Sequence, residues 1–359
     1  MIVKGEKLTV HSISRILLIQ LGDIGDVVLT TPTMRTLREN LVSSTIFVLV
    51  HETARGIVDN CPWVDGTMSV EKKKRGLRDT IAYHRSFLTV LRGARFELTV
   101  DLRAGTRGAI LSLLSGASIR IGRYSENGKL WRNRLFTHLV RPKNELDQYS
   151  SLHSLNILAP LDISIKDTSP ALEVPPEKED RAREVLDKAK VPNDKPIIAL
   201  HPFSRWGYKE WPIQNYIKLI DYIGSQYPVS FVITGAPEEK HRAAEIMRGS
   251  RANVYNLAGR TTISELPGVL KKCSLLIGID SAAVHIAASV GTPTTTIFGP
   301  SSPTNWAPRG TQHQVVSMNL PCLPCRRKGC DNSGVSRCLR ELGVHEVIAP
   351  VERQIRGII

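Results

Sequence analysis

The sequence lacks any apolar run long enough to cross a bilayer. A membrane-spanning helix needs about 20 consecutive apolar residues, and the apolar stretch at 16–19 near the amino terminus is far shorter. No signal-peptide pattern precedes that stretch. We therefore expect a cytoplasmic protein, which at 359 residues is long enough for two domains with separate cores.

Acidic residues are scarce relative to basic ones. The chain carries 34 Asp and Glu against 48 Lys and Arg, a formal net charge of +14. The excess is concentrated between Ser69 and Lys143, where there are 17 basic residues and 5 acidic ones. Such a field attracts nucleic acid, anionic lipid or a phosphorylated substrate, unless the charges only keep the surface solvated. Because no nucleic-acid-binding motif accompanies the charge, we expect no nucleic-acid partner.

Short apolar runs alternate with longer amphipathic segments, and this alternation starts twice. β-Branched and aliphatic residues dominate the runs, as is typical of strands. The predicted strands are 15–21, 45–50, 98–102 and 118–122 in the first half, and 196–201, 229–235, 253–258, 274–280 and 294–298 in the second. The predicted helices include 213–226, 238–248, 263–272 and 282–290. The pattern predicts an α/β protein of two facing, Rossmann-like, doubly wound domains.

The segment 167–176 contains three prolines and is predicted to be the interdomain linker. It separates an N-terminal domain over 1–166 from a C-terminal domain over 177–340. The last segment, 341–359, is predicted to form a helix that packs back on the N-terminal domain. Because doubly wound sheets bind ligands beyond the carboxyl ends of their strands, the motifs at those ends are the candidates for a site.

The first strand runs directly into a glycine-rich turn, Leu21-Gly-Asp-Ile-Gly-Asp26. Gly22 and Gly25 allow the backbone to turn tightly near a ligand, and Asp26 is predicted at or near a helix N-terminus, where a carboxylate is favoured. The spacing matches neither the dinucleotide-binding fingerprint nor the P-loop. Asp26 is therefore either an ordinary N-cap or a functional carboxylate. Pro32 lies further along and is expected to kink the following helix.

The loop between His201 and Trp211 gathers polar and aromatic side chains at the end of a predicted strand. Ser204 supplies a hydroxyl, and Lys209 can neutralise a pyrophosphate as a point charge. The indole of Trp206 could stack on a base or a sugar. Trp211, in contrast, is predicted to belong to the core.

A third motif, Asp280-Ser281-Ala282, leads from the strand 274–280 into a helix whose first residues are small. Such residues leave the first N–H groups of the helix approachable, which makes its N-terminus a ready anion site. His285 lies one turn further in, on the same face as Ser281. It is either structural or a donor to a phosphate or a sugar hydroxyl.

A further candidate, Glu239, closes the segment Gly235-Ala-Pro-Glu-Glu239 after the strand 229–235. A carboxylate at a strand end suits a ribose, because it can accept hydrogen bonds from both hydroxyls of the diol. This pattern makes Glu239 the candidate for ribose binding.

Taken together, these motifs resemble those of the ADP-heptose:lipopolysaccharide heptosyltransferases, a family of inverting glycosyltransferases with the GT-B fold. The resemblance covers nearly the whole chain. It rests on Gly25-Asp26 after the first strand, on Lys209 before Trp-Pro, on Glu239 after Gly-Ala-Pro, and on the run from Asp280 to His285. It implies an N-terminal acceptor-binding domain and a C-terminal domain that binds the nucleotide sugar.

The resemblance also implies a role for each position. Asp26 corresponds to the family's catalytic base, with Gly22 and Gly25 in the acceptor-side loop, and Lys209 assists catalysis by contacting the donor phosphates. Ala282 stands where many members carry glycine. The donor-binding residues implied are Ser204, Lys209, Glu239, Thr261 near the adenine, Asp280, Ser281, Ala282 and His285.

The function implied is transfer of heptose, with inversion, from ADP-L-glycero-D-manno-heptose to the inner core of lipopolysaccharide. No Asp-x-Asp pair occurs in the sequence, so we expect neither a catalytic metal nor another cofactor. The expected partners are the ADP-heptose donor, the acidic lipopolysaccharide acceptor and, by peripheral contact, the cytoplasmic face of the inner membrane. The alternatives are a GT-B-like transferase or epimerase using another nucleotide sugar, a nucleotide-binding module without activity, and a basic nucleic-acid-binding protein.

Four cysteines lie close together near the carboxyl terminus, at Cys322, Cys325, Cys330 and Cys338. In a cytoplasmic protein such a cluster favours metal over disulfides, and four thiolates could close a structural zinc site. The match to a zinc ribbon is partial, because the second half of the spacing does not repeat Cys-x-x-Cys. The four are therefore either zinc ligands or reduced thiols.

Overall fold

A computed structural model describes residues 2–8, 13–71 and 76–358, and the chain divides into two compact units, Met1–Pro170 and Ala171–Ile359. The division falls inside the segment predicted as the linker. None of the helices within those described ranges is long and apolar enough to cross a membrane.

The first unit is built on a seven-stranded sheet. Its strands are β1 (Ile2–Lys4), β2 (Arg15–Gln20), β3 (Thr45–His51), β4 (Gly66–Val70), β5 (Leu98–Asp101), β6 (Ile119–Arg123) and β7 (His138–Val140). Their order is β1-β7-β6-β5-β2-β3-β4, and every neighbouring pair is parallel except β1 with β7. The apolar stretch at 16–19, too short to span a membrane, is the fully buried centre of this sheet.

Six α-helices accompany the first sheet in the described part of this unit. They are α1 (Ile24–Val28), α2 (Thr31–Asn40), α3 (Arg55–Val58), α4 (Leu77–Gly93), α5 (Thr106–Leu114) and α6 (Ser150–Asn156). We expected Pro32 to kink a helix, and this prediction is wrong. The helical stretch breaks between α1 and α2, and Pro32 lies in the first turn of α2. A first turn tolerates proline, since its N–H groups have no partner within the helix.

The second unit is built on a six-stranded parallel sheet of order β10-β9-β8-β11-β12-β13. Its strands are β8 (Ile197–His201), β9 (Ser230–Ile233), β10 (Val254–Asn256), β11 (Leu275–Ile279), β12 (Thr294–Ile297) and β13 (His313–Val316). Its helices are α7 (Pro176–Lys188), α8 (Ile213–Gln226), α9 (Lys240–Gly249), α10 (Leu266–Lys271), α11 (Ala282–Ser289), α12 (Pro303–Trp306), α13 (Arg337–Arg340) and α14 (His345–Ile355). All the predicted strands and helices of this half are confirmed.

The last helix, α14, belongs to the second unit. Its apolar side chains Val347, Val351 and Ile355 are buried in the cluster that also holds residues of β8, β9 and β11. The core of the second unit therefore takes up the apolar face of this helix.

Candidate functional site

The carboxyl ends of β8 and β11 lie side by side at the centre of the second sheet. The two strands are parallel neighbours, and the chain continues from β8 toward β9 but from β11 toward β12, on the opposite side. α/β sheets bind ligands in the crevice formed where the strand order reverses in this way. Ser204 and Lys209 follow β8, and Asp280 and Ser281 follow β11.

An ion pair joins two of the predicted residues across this crevice. The Nζ of Lys209 donates to Oδ2 of Asp280 at 2.6 Å, although the two residues are 71 positions apart. The Asp280 side chain is 7% exposed and that of Lys209 is 23% exposed. A carboxylate as deeply buried as Asp280 needs a paired cation, so the two side chains hold each other in place.

The loop that carries Lys209 is held by a carboxylate that sequence analysis did not single out. An oxygen of Glu210 accepts the backbone N–H of Ser204 at 2.9 Å, and both Glu210 oxygens accept from the guanidinium of Arg242. That guanidinium also lies 4.8 Å from the centre of the Phe203 ring. The only signal for Glu210 in the sequence was its place between Lys209 and a core tryptophan.

The two tryptophans of this loop differ in burial. Trp211 is 1% exposed, and its indole N–H donates to the Leu342 carbonyl at 2.9 Å. Its ring packs edge-on against Tyr216 at a centroid distance of 4.9 Å. The prediction that Trp211 is core is therefore confirmed, whereas Trp206 is 40% exposed, with the Arg205 guanidinium 5.3 Å and the Lys328 Nζ 5.8 Å from the centre of its ring.

The start of α11 supplies unsatisfied donors next to the ion pair. Ser281 is the N-cap with extended backbone, and its hydroxyl does not cap the helix. That hydroxyl oxygen is buried and has no hydrogen-bond partner among the described residues. Because the N–H groups of a first helical turn also lack intrahelical partners, those at and after Ala282 can bind an anion. His285 is 5% exposed and can reach only a ligand that enters as deep as this turn.

Glu239 ends a one-turn helix, Pro237–Glu239, just before α9. Its carboxylate accepts the backbone N–H of Ala236 at 2.7 Å. Partial burial raises the pKa of the Glu239 carboxyl, and the N–H of Ala236 opposes that rise. One side of the carboxylate thus fixes the turn, which leaves its other lone pairs for a ligand hydroxyl.

The turns after β9 and β10 are joined by their backbones. The N–H of Gly259 donates to the Gly235 carbonyl at 2.9 Å. Gly259 has a φ of +72°, and a Cβ there would lie 2.9 Å from the Cα of Pro237. Only glycine allows so close an approach. This hydrogen bond holds the turn that contains the half-buried Thr261 at the same edge of the sheet as Glu239.

In the first unit the strand order reverses between β2 and β5, and Asp26 follows β2. The N-cap of α1 is Asp23, and Asp26 is the third residue of the helix. Its Oδ2 accepts the backbone N–H of Asp23 at 3.0 Å. A Cβ at Gly22 would overlap this carboxylate, so the turn requires glycine there. The interpretation of Asp26 as the N-cap is therefore wrong, because Asp26 closes a capping box from the third helical position, and Gly25 lies inside the first turn of α1.

The carboxylate of Asp26 is paired with an arginine that sequence analysis did not identify. Arg103 follows β5, and its Nη1 donates to Oδ2 of Asp26 at 2.7 Å. The Asp26 side chain is 18% exposed and that of Arg103 is 46% exposed. The one available signal was the position of Arg103, directly after the predicted strand 98–102.

A buried ion pair fixes the loop that carries Arg103. Arg132 and Asp101 are each 1% exposed, with Nη2 and Oδ2 3.3 Å apart. Arg132 also donates to the carbonyls of Arg103 at 2.7 Å and Gly105 at 3.0 Å. Burial raises the pKa of Asp101 to about 7, and the adjacent Arg132 guanidinium opposes that rise. One enclosed guanidinium thus organises the whole turn between β5 and α5.

The four clustered cysteines are all reduced. Cys322 and Cys330 are exposed, whereas Cys338 is 4% exposed and belongs to the apolar core of the second unit. In the described ranges, no three His, Cys, Asp or Glu side chains are arranged to hold a metal ion. The charges of Cys325, Cys330 and Cys322 add to the effect of burial in raising the pKa of Cys338, so the four thiols lie near one another, and zinc ligands and reduced thiols remain the two alternatives.

Comparison with known proteins finds a match to one family. A model of glycosyltransferase family 9 (heptosyltransferase) matches residues 84–336. The chain is 31% identical over 290 residues to lipopolysaccharide heptosyltransferase 3 of Escherichia coli. The aligned region covers 79% of this chain and 83% of that relative.

Two solved structures share the fold over nearly the whole chain. A glycosyl transferase family 9 protein from Veillonella parvula DSM 2008 has a TM-score of 0.82 at 21% identity, covering 98% of this chain and 100% of that one. The E. coli heptosyltransferase WaaC with ADP-2-deoxy-2-fluoro heptose has a TM-score of 0.71 at 17% identity, covering 94% and 99%. These likenesses confirm the predicted GT-B architecture of two doubly wound domains.

Proposed function

The chain belongs to glycosyltransferase family 9 (heptosyltransferase), and from this premise we propose that it transfers heptose, with inversion, from ADP-L-glycero-D-manno-heptose to the inner core of lipopolysaccharide. Two comparisons support the proposed substrates. The E. coli relative is named for heptose transfer to lipopolysaccharide, and a solved structure of the same fold holds an ADP-heptose analogue.

The observation that carries the proposal is the Lys209–Asp280 pair beside the start of α11. A diphosphate needs a cation and a set of N–H or O–H donors that do not have to be reoriented. Lys209 supplies the cation, and the Ser281 hydroxyl and the N–H groups from Ala282 onward supply the donors. We propose that these groups, together with Ser204 from the loop after β8, stabilise the negative charge that develops on ADP as it leaves.

The remaining donor contacts follow from the turns around this crevice. We assign the ribose to Glu239, whose carboxylate is already anchored on one side by the Ala236 N–H. Thr261 is assigned to the adenine side, since the Gly259–Gly235 hydrogen bond ties its turn to that of Glu239. His285 is assigned to the innermost part of the donor because it is buried behind the first turn of α11.

In the proposed reaction Asp26 takes the proton of an acceptor hydroxyl. The acceptor oxygen forms its bond to the anomeric carbon of the heptose from the face opposite the diphosphate, and ADP leaves with the electrons of the broken C–O bond. General-base assistance of this kind contributes roughly 10²–10⁴-fold. Arg103, 2.7 Å from the carboxylate, orients it through a charge-assisted hydrogen bond. The proposed reaction uses no metal and no further cofactor.

We propose that the acidic acceptor is drawn to the basic first unit, in peripheral contact with the cytoplasmic face of the inner membrane. There are 17 basic residues between Ser69 and Lys143. The four at 72–75 lie outside the described ranges, and Arg132 is buried. Arg78, Arg85 and Arg92 are exposed, and they contribute the long-range attraction to anionic groups.

A transfer assay tests the proposal directly. Purified protein is incubated with ADP-heptose and a panel of truncated lipopolysaccharide acceptors, with and without EDTA, and ADP and glycosylated product are quantified by mass spectrometry. We expect ADP and heptosylated product in equal amounts, with no loss on chelation. Donor turnover without acceptor would indicate an epimerase, and transfer only from another nucleotide sugar would overturn the donor assignment.

A further inference from the structure

The segments after the neighbouring strands β8 and β9 are joined by an ion pair. Glu210 lies in the loop after β8, and Arg242 lies in the first turn of α9, which follows β9. The Nη1 of Arg242 donates to Oε1 of Glu210 at 3.1 Å, and its Nη2 donates to Oε2. A two-point contact of this kind fixes both the distance and the angle between the side chains. The pair therefore ties the start of α9 to the loop that carries Lys209.

The surroundings of the pair make it more rigid than an ordinary surface ion pair. Exposed pairs contribute little unless their geometry is well defined, but the Glu210 side chain is only 14% exposed. The guanidinium of Arg242 lies over the ring of Phe203, which is fully buried. A Cβ at Gly235 would lie 3.1 Å from Cδ2 of that ring. The turn after β9 therefore packs closely on the same ring that supports the guanidinium.

On one side the pair holds the loop assigned to the donor phosphates. Oε1 of Glu210 accepts the backbone N–H of Ser204 at 2.9 Å, in addition to the bond from Arg242. The hydroxyl of Ser204 accepts the backbone N–H of Trp206 at 3.1 Å, which leaves its own O–H to donate to a ligand. Lys209 is the neighbour of Glu210 in the chain. The carboxylate of Glu210 thus sets the position of both groups assigned to the phosphates on this loop.

On the other side the pair holds the carboxylate assigned to the ribose. Glu239 is the N-cap of α9 and lies three positions before Arg242, so the two side chains share one side of the helix. Burial raises the pKa of the Glu239 carboxyl, the charge of Glu210 adds to that rise, and the charge of Arg242 opposes it. The three charged groups are therefore near one another. Anchoring Arg242 on Glu210 fixes the first turn of α9 and, with it, Glu239.

We infer that the Glu210–Arg242 pair sets the spacing between the phosphate-binding loop and Glu239, so that the crevice matches a ligand in which a diphosphate and a ribose are joined. Such a ligand is a nucleoside diphosphate, as opposed to a phosphate or a nucleoside alone. Both members of the pair act through the groups that they hold, which makes them positioning residues. The inference rests on the proposed function, because it takes the phosphate and ribose assignments from there.

The double variant Glu210→Gln/Arg242→Met tests the inference, because it removes the ion pair without changing the net charge of the site. Glutamine can still accept the Ser204 N–H, and methionine keeps an unbranched side chain over Phe203. Calorimetry on the full chain compares ADP with pyrophosphate. ADP affinity should fall about tenfold, since the ribose loses well-placed hydrogen bonds to a charged group. Pyrophosphate, which has no ribose, should bind nearly as it does to wild type. A general weakening of the electrostatic field would instead affect both ligands equally.

Two further variants and a kinetic readout sharpen the test. Arg242→Lys keeps the charge but lacks the planar fork, so its ADP affinity should be intermediate, again with pyrophosphate binding nearly unchanged. The matched control is Arg248→Met, the same substitution at an exposed position in the last turn of α9, and it should bind both ligands like wild type. In steady-state transfer the double variant should raise the KM for the donor about tenfold and change kcat and the acceptor KM much less, as loss of uniform binding does.

The outcomes separate this inference from the proposed function. Binding is measured well below the thermal unfolding temperature of each variant, and Arg242→Lys decides the question if the double variant does not fold. Wild-type ADP affinity in the folded variants would overturn the inference, as would equal losses for ADP and pyrophosphate. ADP and pyrophosphate binding that responds as expected, in a protein that transfers no heptose, would count against the proposed function alone.

Discussion

Asp26 is the residue on which the proposed chemistry depends most directly. Asp26→Asn keeps the size of the side chain but cannot take a proton, so we expect transfer to fall by about 10²–10⁴-fold with ADP affinity unchanged. Steady-state kinetics and calorimetry with ADP measure the two effects. The matched control is Asp23→Asn, because asparagine also serves as an N-cap and Asp23 is exposed. Asp26→Asn turnover within about threefold of wild type would remove Asp26 from the role of base.

Lys209 is expected to act on both bound donor and leaving ADP. Lys209→Ala should weaken ADP binding by about tenfold or more, since hydrogen bonds to charged groups contribute roughly 1.5–3 kcal/mol, and it should also slow transfer. The variant leaves the buried Asp280 without its cation, which by itself repels phosphate. Lys209→Ala/Asp280→Asn removes that repulsion and isolates the loss of the cation. Unchanged ADP affinity and rate in both variants would refute the phosphate assignment.

Single residues differed in how far the sequence could reveal them. Asp280 and Ser281 were identifiable because they directly follow a strand with a clear apolar run, and Lys209 because it lies in the loop after another such strand. Arg103 also follows such a strand, but its partner is 77 positions away and depends on β5 lying next to β2. The Glu210–Arg242 pair was missed for the same reason. A contact made only by strand order leaves no local pattern in the sequence.

At the scale of elements, the buried central strands were the easiest to predict. The central strands β2, β5, β8 and β11 are nearly or wholly buried and read as continuous apolar runs. The strands missed were β1, β4, β7 and β13, which lie at or next to the edges of their sheets and are short. β4 is only half-buried along most of its length, and β1 has no buried residue. Partial exposure removes the compositional signal that a strand prediction needs.

Chemical labelling of the four clustered cysteines can distinguish reduced thiols from a metal site. Burial raises the pKa of Cys338 to about 11, and that of Cys273, elsewhere in the core, to about 12. A brief pulse of N-ethylmaleimide on native protein should therefore label Cys322 and Cys330 first and spare Cys338 and Cys273. Peptide mass spectrometry reports each site. Joint protection of all four clustered cysteines, lifted by a chelator, would instead support zinc.

At the scale of the whole molecule, the densest run of basic charge and the donor chemistry lie in different units. The run between Ser69 and Lys143, with 17 basic and 5 acidic residues, belongs to the first unit, and the residues assigned to the donor lie in the second. Added salt shortens the Debye length from roughly 30 Å at 0.01 M to about 8 Å at 0.15 M. The Michaelis constant for the acceptor should therefore rise several-fold, and that for the donor much less. Initial rates at matched salt concentrations measure both, and equal sensitivity would contradict the division.

The Lys209–Asp280 pair also has a consequence for selectivity among anions. A cation that already has a partner 2.6 Å away gives a passing anion little net attraction. A ligand gains only if it competes with Asp280 for Lys209 and also occupies the donors at the start of α11, which takes two phosphates in the correct geometry. Inorganic phosphate should thus displace ADP far less well than pyrophosphate does in a fluorescence titration, whereas equal displacement would show that Lys209 responds to charge alone. In this view Asp280 acts as a built-in competitor that excludes abundant small anions from the crevice.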